Sequence, residues 1–376
     1  MLAGRRAWAE VDLGAIRHNA ATLAALVGPA GLCAVVKAGG YGHGSVAVAR
    51  AAIEGGASWL AVALVEEGEV LRRHGIDAPV LLLSEPPVDA MGDVVALTLT
   101  PTLYTEEGVE AAAKAVVAAG AAPLSVHVKV DTGMHRVGAS AEGALVVARS
   151  VADRPELVFG GLWTHFAVAD DPSLPFTGEQ CARFDAVVAH LGAAGLRPSL
   201  LHACNSAGAL AFPAARHDLV RCGIALYGVA PSPAMAATDL GARLRPALSL
   251  RARVSYVKQV AAGEAVSYGL RRPLERAATV ATVPVGYADG VPWRLGVTGG
   301  EVLIGGRRRP LAGSVTMDQI LVDCGDDTGV LAGDEVVLIG RQGTEQITAW
   351  DWATKVGTIA YEILCGIGPR VPKLYA

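Results

Sequence analysis

Leu32-Cys33-Ala34-Val35-Val36-Lys37-Ala38-Gly39-Gly40-Tyr41-Gly42-His43-Gly44 is an apolar run of strand length that stops at one lysine and turns at once into glycines. An amine at the tip of a buried strand has little water around it. Desolvation disfavours the ammonium and frees the lone pair to attack a carbonyl, which is the condition for a Schiff-base lysine. The glycines let backbone N–H groups approach an anion closely, and Tyr41 adds a hydroxyl donor. A lysine plus an anion cradle is what an aldehyde cofactor carrying a phosphate requires. The competing reading of the same residues is a solvated turn after a strand.

Working outward, the same unit recurs. Apolar runs lie at Cys33–Val36, Trp59–Leu64, Val80–Leu83, Val94–Leu99, Leu124–Val130, Leu157–Trp163, Leu200–Ala203 and Leu219–Leu226. Helical patterns lie between most of them, at Val46–Ile53, Glu106–Ala119, Ala141–Val151, Cys181–Ala194 and Ala207–Ala215. Strands separated by crossovers predict parallel β/α units, and eight of them predict a closed (β/α)8 TIM-type barrel. Polar groups stand where the runs end: Lys37, Ser84, Asp131, His165, Asn205 and Arg221. In such a barrel these ends converge on one mouth, where the active site sits. After Pro231-Ser232-Pro233 the pattern changes to alternation and glycine turns. Leu248–Val260, Ala278–Val285, Glu301–Ile304, Gln319–Val322 and Glu335–Ile339 predict a mostly antiparallel β domain. The expected division is residues 1–240 for the α/β barrel and 241–376 for the β domain.

Composition narrows the function. A chain of 376 residues exceeds what a single core of ~250–300 residues holds. A net charge of -4 leaves no electrostatic footprint for nucleic acid. The one basic triplet, Arg307-Arg308-Arg309, reads as a solvated loop between glycines. No apolar stretch of ~20 residues is free of charge, so no membrane span is expected. The start, Met1 to Asp12, carries no leader-type apolar segment. Six cysteines form no Cys-x-x-Cys pair and read as buried thiols of a reducing cytoplasm, with neither disulfides nor a metal site.

Other segments carry polar groups of interest. Lys129-Val130-Asp131-Thr132-Gly133-Met134-His135-Arg136 ends a strand and displays an arginine suited to clamp a carboxylate or phosphate, or simply to face solvent. His165, after Trp163-Thr164, is placed to stack on a flat ring or to satisfy a core hydrogen bond. Asn205-Ser206 opens a helix with a hydroxyl and unpaired N–H groups, an anion site or an ordinary cap. Arg221 lies in Val220-Arg221-Cys222-Gly223-Ile224 and is equally readable as a buried salt-bridge member.

These motifs, in this order, resemble the alanine racemase family across Trp8 to Arg370. The resemblance implies pyridoxal 5'-phosphate (PLP) on Lys37, racemisation of alanine, and a cytoplasmic role in supplying D-alanine for peptidoglycan. It implies cofactor contacts from Tyr41, Arg136, His165, Asn205, Ser206, Arg221, Gly223, Ile224 and Tyr361. In the family the arginine matching Arg221 faces the pyridine nitrogen. A guanidinium does not release its proton, so that nitrogen stays neutral and the ring is a weaker electron sink, which favours racemisation over transamination. Val266-Ser267-Tyr268-Gly269 matches the second catalytic base, opposite Lys37, and comes from the partner subunit of a homodimer with shared sites. Substrate contacts are implied for Arg136, Met317, Asp318 and Tyr287. Lys129 matches a lysine that is carbamylated in some members. Two positions depart from the pattern: Gly39 stands where Asn or Asp is usual, and Thr316 where many relatives carry Cys. PLP amino-acid decarboxylases share the layout but differ in their C-terminal signature. A single-barrel PLP carrier would have no use for residues 244–376.

Overall fold

The computed structural model describes residues 6–376, so Met1–Arg5 of the start read above lie outside the described residues. The described residues group into two compact units, one of residues 14–40 and 45–246, the other of residues 6–13, 41–44 and 247–376. This departs from 1–240 and 241–376. The strand Ala7–Val11 pairs antiparallel with Leu248–Arg253, so the start of the chain belongs with the β unit, as does Tyr41–Gly44.

The first-named unit is a closed parallel barrel. Its strands are Gly31–Val35, Ala57–Val62, Val80–Leu82, Thr102–Leu103, Leu124–Lys129, Leu157–Trp163, Leu200–His202 and Leu219–Cys222. They pair in two parallel four-stranded sheets, Val80–Leu82, Ala57–Val62, Gly31–Val35, Leu219–Cys222 and Thr102–Leu103, Leu124–Lys129, Leu157–Trp163, Leu200–His202, joined on one side by a bridge between Leu81 and Thr100. Asp218 N–H donates to Leu201 O at 3.0 Å and Arg221 N–H to Cys204 O at 3.0 Å, which closes the ring.

One expected strand is wrong. Val94–Leu99 is the end of a helix, Met91–Ala96, whose buried residues Met91, Val94 and Val95 recur at helical spacing. The fourth barrel strand is Thr102–Leu103 instead. Thr100 bridges to Leu81, and Pro101, lacking an N–H, interrupts the ladder between them. The helices follow local signals. Thr105 caps Glu106–Ala119 by accepting from Gly108, Gly120 ends that helix at φ 58°, and Ser140 caps Ala141–Ala152.

The second unit carries two sheets. In the larger, strands run in the order Arg307–Pro310, Glu301–Ile304, Glu335–Gln342, Leu248–Arg253, Ala7–Val11, Lys373–Tyr375, and Glu345–Ile347 adds to Glu335–Gln342. All these pairs are antiparallel except Ala7–Val11 with Lys373–Tyr375. The smaller sheet is Tyr256–Val260, Ala278–Val283, Ile320–Asp323. Arg307–Arg309 is therefore an edge strand and not a loop. Arg308 pairs with Glu301 and Glu345, and Arg309 with Asp327. No helix among the described residues is long and apolar enough to cross a membrane.

Candidate active site

Lys37 follows the strand Gly31–Val35, after Val36 donates its N–H to Ala61 O at 2.9 Å. The backbone then enters a left-handed turn, with φ of 53°, 61° and 66° at Ala38, Gly39 and Gly40. Gly40 N–H returns to Val36 O at 2.9 Å and closes the turn. Lys37 itself is half-buried at its start.

On the adjacent strand Leu219–Cys222, in register with Cys33, stands Arg221, 2% exposed. Its Nη1 donates to His202 Nδ1 at 2.8 Å. Its Nη2 donates to Thr164 O at 2.7 Å, Ala203 O at 3.0 Å and His165 Nδ1 at 3.3 Å. These are neutral acceptors, so the salt-bridge reading of Arg221 gives way. The guanidinium carbon lies 4.5 Å from the Trp163 ring centroid, and Lys129 Nζ lies 4.4 Å from the same centroid. His202 stacks on Trp163 with ring centroids 5.5 Å apart and 11° between planes. His127 Nδ1 is 2.9 Å from His202 Nε2.

These groups feel one another. Burial first, then Arg221, Arg136 and Lys37 against Asp131, push the Lys129 amine down to about 7. Burial, then Arg221, Lys129, Arg136 and Lys37, hold His165 well below the usual imidazole range. His202 is held well below it by burial, Arg221, His127 and His217. Burial and Arg221 push His127 down to about 3. Burial pushes the thiols of Cys33 and Cys204 up to about 12, so they are poor nucleophiles.

Arg136 is exposed at the end of a loop that Asp131 organises. Asp131 Oδ1 accepts N–H bonds from Gly133, Met134 and His135 at 2.9, 2.9 and 3.1 Å. The short helix Ser206–Ala211 is capped by Asn205, whose Oδ1 accepts from Gly208 at 2.9 Å. Ser206 does something else: its Oγ accepts the N–H of Gly223 at 2.9 Å and of Ala225 at 3.4 Å. It thereby ties the start of that helix to the turn Ile224–Tyr227. The first N–H groups of both have no acceptor within their own helix.

In the β unit the loops of Tyr268, Tyr287 and Met317 meet. Ser267 Oγ donates to Ser314 O at 2.6 Å, and Ser314 Oγ donates to Tyr268 O at 2.9 Å. Tyr287 and Ala288 donate backbone N–H bonds to Thr316 O and Met317 O at 3.0 and 3.1 Å. Gly286 permits this approach, since a Cβ there would lie 2.2 Å from Thr316 O. Arg370 reaches Asp318 at 2.7 Å and Asp289 at 3.3 Å, joining the two loops. Tyr268 is 76% exposed, unpacked by its own unit. Tyr41 and Tyr361 face each other with ring centroids 6.3 Å apart.

The predicted residues thus fall into two groups. Lys37, Lys129, Arg136, His165, Asn205, Ser206, Arg221, Gly223 and Ile224 belong to the barrel unit. Tyr41, Tyr268, Tyr287, Met317, Asp318 and Tyr361 belong to the β unit. Sequence reasoning passed over His127, His202 and Trp163. The signal for His127 was present, because it lies two residues before Lys129 and so on the same face of the strand.

The barrel mouth suits a phosphorylated aldehyde. Four cations act on one another there, two helix starts offer N–H donors, a buried guanidinium lies against neutral imidazoles, and one lysine ends a strand. A closed barrel of this kind followed by an antiparallel β unit defines a class of PLP-dependent enzymes, and the donors present fit that cofactor. Residues 11–231 match the family model of the alanine racemase N-terminal domain, and residues 247–375 that of the C-terminal domain. An alanine racemase from Symbiobacterium thermophilum is 47% identical over 371 residues, 99% of this chain and 97% of that protein. The crystal structure of alanine racemase from D-cycloserine-producing Streptomyces lavendulae is 39% identical and superposes with a TM-score of 0.93, over 99% of this chain and 97% of that one. A histidine racemase from Leuconostoc mesenteroides is 29% identical with a TM-score of 0.91, over 100% and 99% of the two chains. The chain belongs to the alanine racemase family. It is a PLP-dependent amino-acid racemase of the isomerase class.

Proposed function

We propose that the chain interconverts L- and D-alanine, with Lys37 and Tyr268 as the two bases on opposite faces of Cα. The observation that carries this reading is the gathering of basic groups, Lys37, Lys129, Arg136 and Arg221, in the barrel unit, with Lys129 Nζ and the Arg221 guanidinium both against the Trp163 ring; burial first, and these neighbours next, depress Lys129 and His165. Such a field suits an anionic cofactor and an amino-acid carboxylate. When bound, PLP supplies the electron sink that makes the Cα hydrogen of an amino acid acidic.

Lys37 is the attachment point. Within the barrel unit Arg136, His165, Asn205, Ser206, Arg221, Gly223 and Ile224 hold the cofactor, and the resemblance adds Tyr41 and Tyr361 as contacts. Arg221 keeps its proton at ordinary pH, so it donates to what it faces and protonates nothing. Arg136 and Asp318 orient the substrate, and Met317 and Tyr287 restrict its side chain to a methyl group. The histidine racemase on the same frame makes residue-level contacts, and not the fold, the place where substrate choice resides. Lys37 takes the Cα proton of D-alanine and Tyr268 that of L-alanine, each group returning one to its own face.

The exposed Tyr268, Leu270, Tyr287 and Met317 support a homodimer in which Tyr268 serves the partner's site. Lys129, neutral in part near pH 7, is suited to carbamylation: the amine adds to carbon dioxide and releases one proton. The carbamate's negative charge then faces Arg221 and Arg136. The setting is the cytoplasm and the product D-alanine for peptidoglycan.

Borohydride treatment with PLP, followed by peptide mass mapping, tests the attachment. A single adduct on Lys37 is expected; none there removes the reading. Deuterium exchange then tests the bases. Tyr268→Phe is expected to lose exchange chiefly from L-alanine, and equal loss from both enantiomers contradicts the two-base assignment.

A further inference from the structure

The turn that carries Lys37 is held by a residue outside every motif considered so far. Glu67 lies on the helix Val65–Arg73, after the neighbouring strand Ala57–Val62. Its Oε1 accepts the N–H of Ala38 at 2.6 Å. Its Oε2 accepts the N–H of Ala63 at 2.8 Å and of Leu64 at 3.2 Å. One carboxylate therefore staples the ends of two adjacent barrel strands, and the stapled amide belongs to the residue directly after the lysine. Bonds from N–H groups to an ionised carboxylate are among the stronger ones a backbone makes.

The staple adds to the Gly40 N–H to Val36 O bond that closes the turn, and it acts where the backbone is disfavoured. Ala38, Gly39 and Gly40 have left-handed φ of 53°, 61° and 66°. Glycine adopts that region freely, whereas a residue with a Cβ is disfavoured there by roughly tenfold in population. Of the two positions in this left-handed stretch that keep a Cβ, Ala38 (φ 53°) and Tyr41 (φ 51°), Ala38 is the one Glu67 holds. The Ala38 side chain is exposed, so no packing of its own compensates.

We propose that Glu67 is a positioning residue: it keeps the peptide after Lys37 in the left-handed conformation and so fixes the direction in which the amine leaves the strand end. This inference rests on the reading of Lys37 as the attachment point. The plainer role, a helix cap through Leu64 alone, predicts loss of stability without any effect tied to Ala38.

Glu67→Gln separates the two. A carboxamide has one acceptor end, so whichever way it turns, an NH2 group meets either the Ala38 N–H or the Ala63 and Leu64 pair. The readouts are trapping of subsaturating PLP on Lys37 by borohydride, kcat and KM for alanine, and Tm, for wild type, Glu67→Gln, Ala38→Gly and the double variant. Glu67→Gln is expected to reduce trapping and kcat about tenfold with KM within roughly threefold. Ala38→Gly removes the Cβ penalty and is expected to restore most of that loss in the double variant, while the Tm deficit from the cap persists. Ala38→Val, which raises the backbone penalty and leaves the helix cap untouched, is expected to lower trapping with a smaller Tm loss than Glu67→Gln; it decides the matter should Glu67→Gln fail to fold. Wild-type trapping in Glu67→Gln or Ala38→Val, or no recovery in the double variant, overturns the proposal. Absence of trapping on Lys37 in the wild type instead overturns the attachment reading beneath it.

Discussion

Nη1 of Arg221 donates to Nδ1 of His202 at 2.8 Å, and that one bond fixes the protons on two buried imidazoles. Arginine has no acceptor, so Nδ1 of His202 holds a lone pair and the ring proton is on Nε2. That N–H donates to His127 Nδ1 at 2.9 Å, which leaves the His127 proton on Nε2. His165 Nδ1, at 3.3 Å from Arg221 Nη2, accepts in the same sense. Three neutral rings with the same tautomer therefore face one fixed cation. Nitrogen-15 NMR is expected to show Nε2–H imidazoles for His127, His165 and His202, with none titrating between about pH 5 and 8. A ring among the three that charges in that interval contradicts the arrangement.

The same chain has a consequence for stability. Their folded pKa values are depressed, His127 to about 3 and the other two well below the usual value. The unfolded chain takes up protons on these histidines near pH 6.5 and the folded chain does not. Stability is therefore full above that pH and is lost as pH falls from about 6.5 towards 3. His127→Leu leaves the His202 N–H buried without an acceptor, a loss of about 1–3 kcal/mol at neutral pH. It also deletes one histidine that resists protonation, so its deficit in urea unfolding is expected to narrow at about pH 4.5. A deficit that widens there sinks the account.

Lys129 gives a slope of the same sign in a higher pH window. Its folded pKa is pushed down to about 7 from an ordinary 10.5. Between those values the unfolded chain holds a proton that the folded chain has released, so stability rises with pH across that window. Below about 7 the full penalty of a buried ammonium applies. In buffers freed of carbon dioxide, wild type is expected to gain stability from about pH 7 to 10, whereas Lys129→Met runs flatter. Parallel curves for the two proteins would remove the assignment.

How much of this was legible follows from what leaves a trace in a sequence. Lys37, His165 and Arg221 stood out because barrel strands end at one mouth, so a polar residue at a strand end is a convergent one, whereas Arg136, in a loop, stood out through the resemblance. Thr102–Leu103 was not, because Pro101 breaks its ladder and the louder apolar run at Val94–Leu99 belongs to a helix. Ala7–Val11 was misplaced because its partner strand, Leu248–Arg253, lies far along the chain, and pairing at that range has no local signal. The run Leu157–Trp163 gave no reason for the glycine in its middle, Gly161. A Cβ at Gly161 would sit 2.5 Å from His127 Nδ1, so that glycine makes room for the imidazole. Glu67 was invisible, since the groups it binds are backbone amides, which every residue carries.

The departure at Gly39 from the Asn or Asp usual in the resemblance has a backbone reason. Its φ is 61°, in the region where Gly, Asn and Asp are the tolerated residues, and nothing lies within 4 Å of the Cβ it lacks. Gly39→Asn is therefore expected to fold with stability within about 0.5 kcal/mol of wild type, whereas Gly39→Val costs about 1–2 kcal/mol through the left-handed backbone alone. The neighbouring glycine answers to a different constraint. Gly40 has φ 66°, but a Cβ there would lie 3.1 Å from Ser45 N and 3.2 Å from Ser45 Cα, both backbone atoms that cannot swing aside. Gly40→Asn thus meets a steric barrier that Gly39→Asn does not, and its stability loss by urea unfolding is expected to exceed that of Gly39→Asn by at least about 1 kcal/mol. Equal losses at the two positions would mean that conformation alone, and not the approach of Ser45, dictates glycine in this turn.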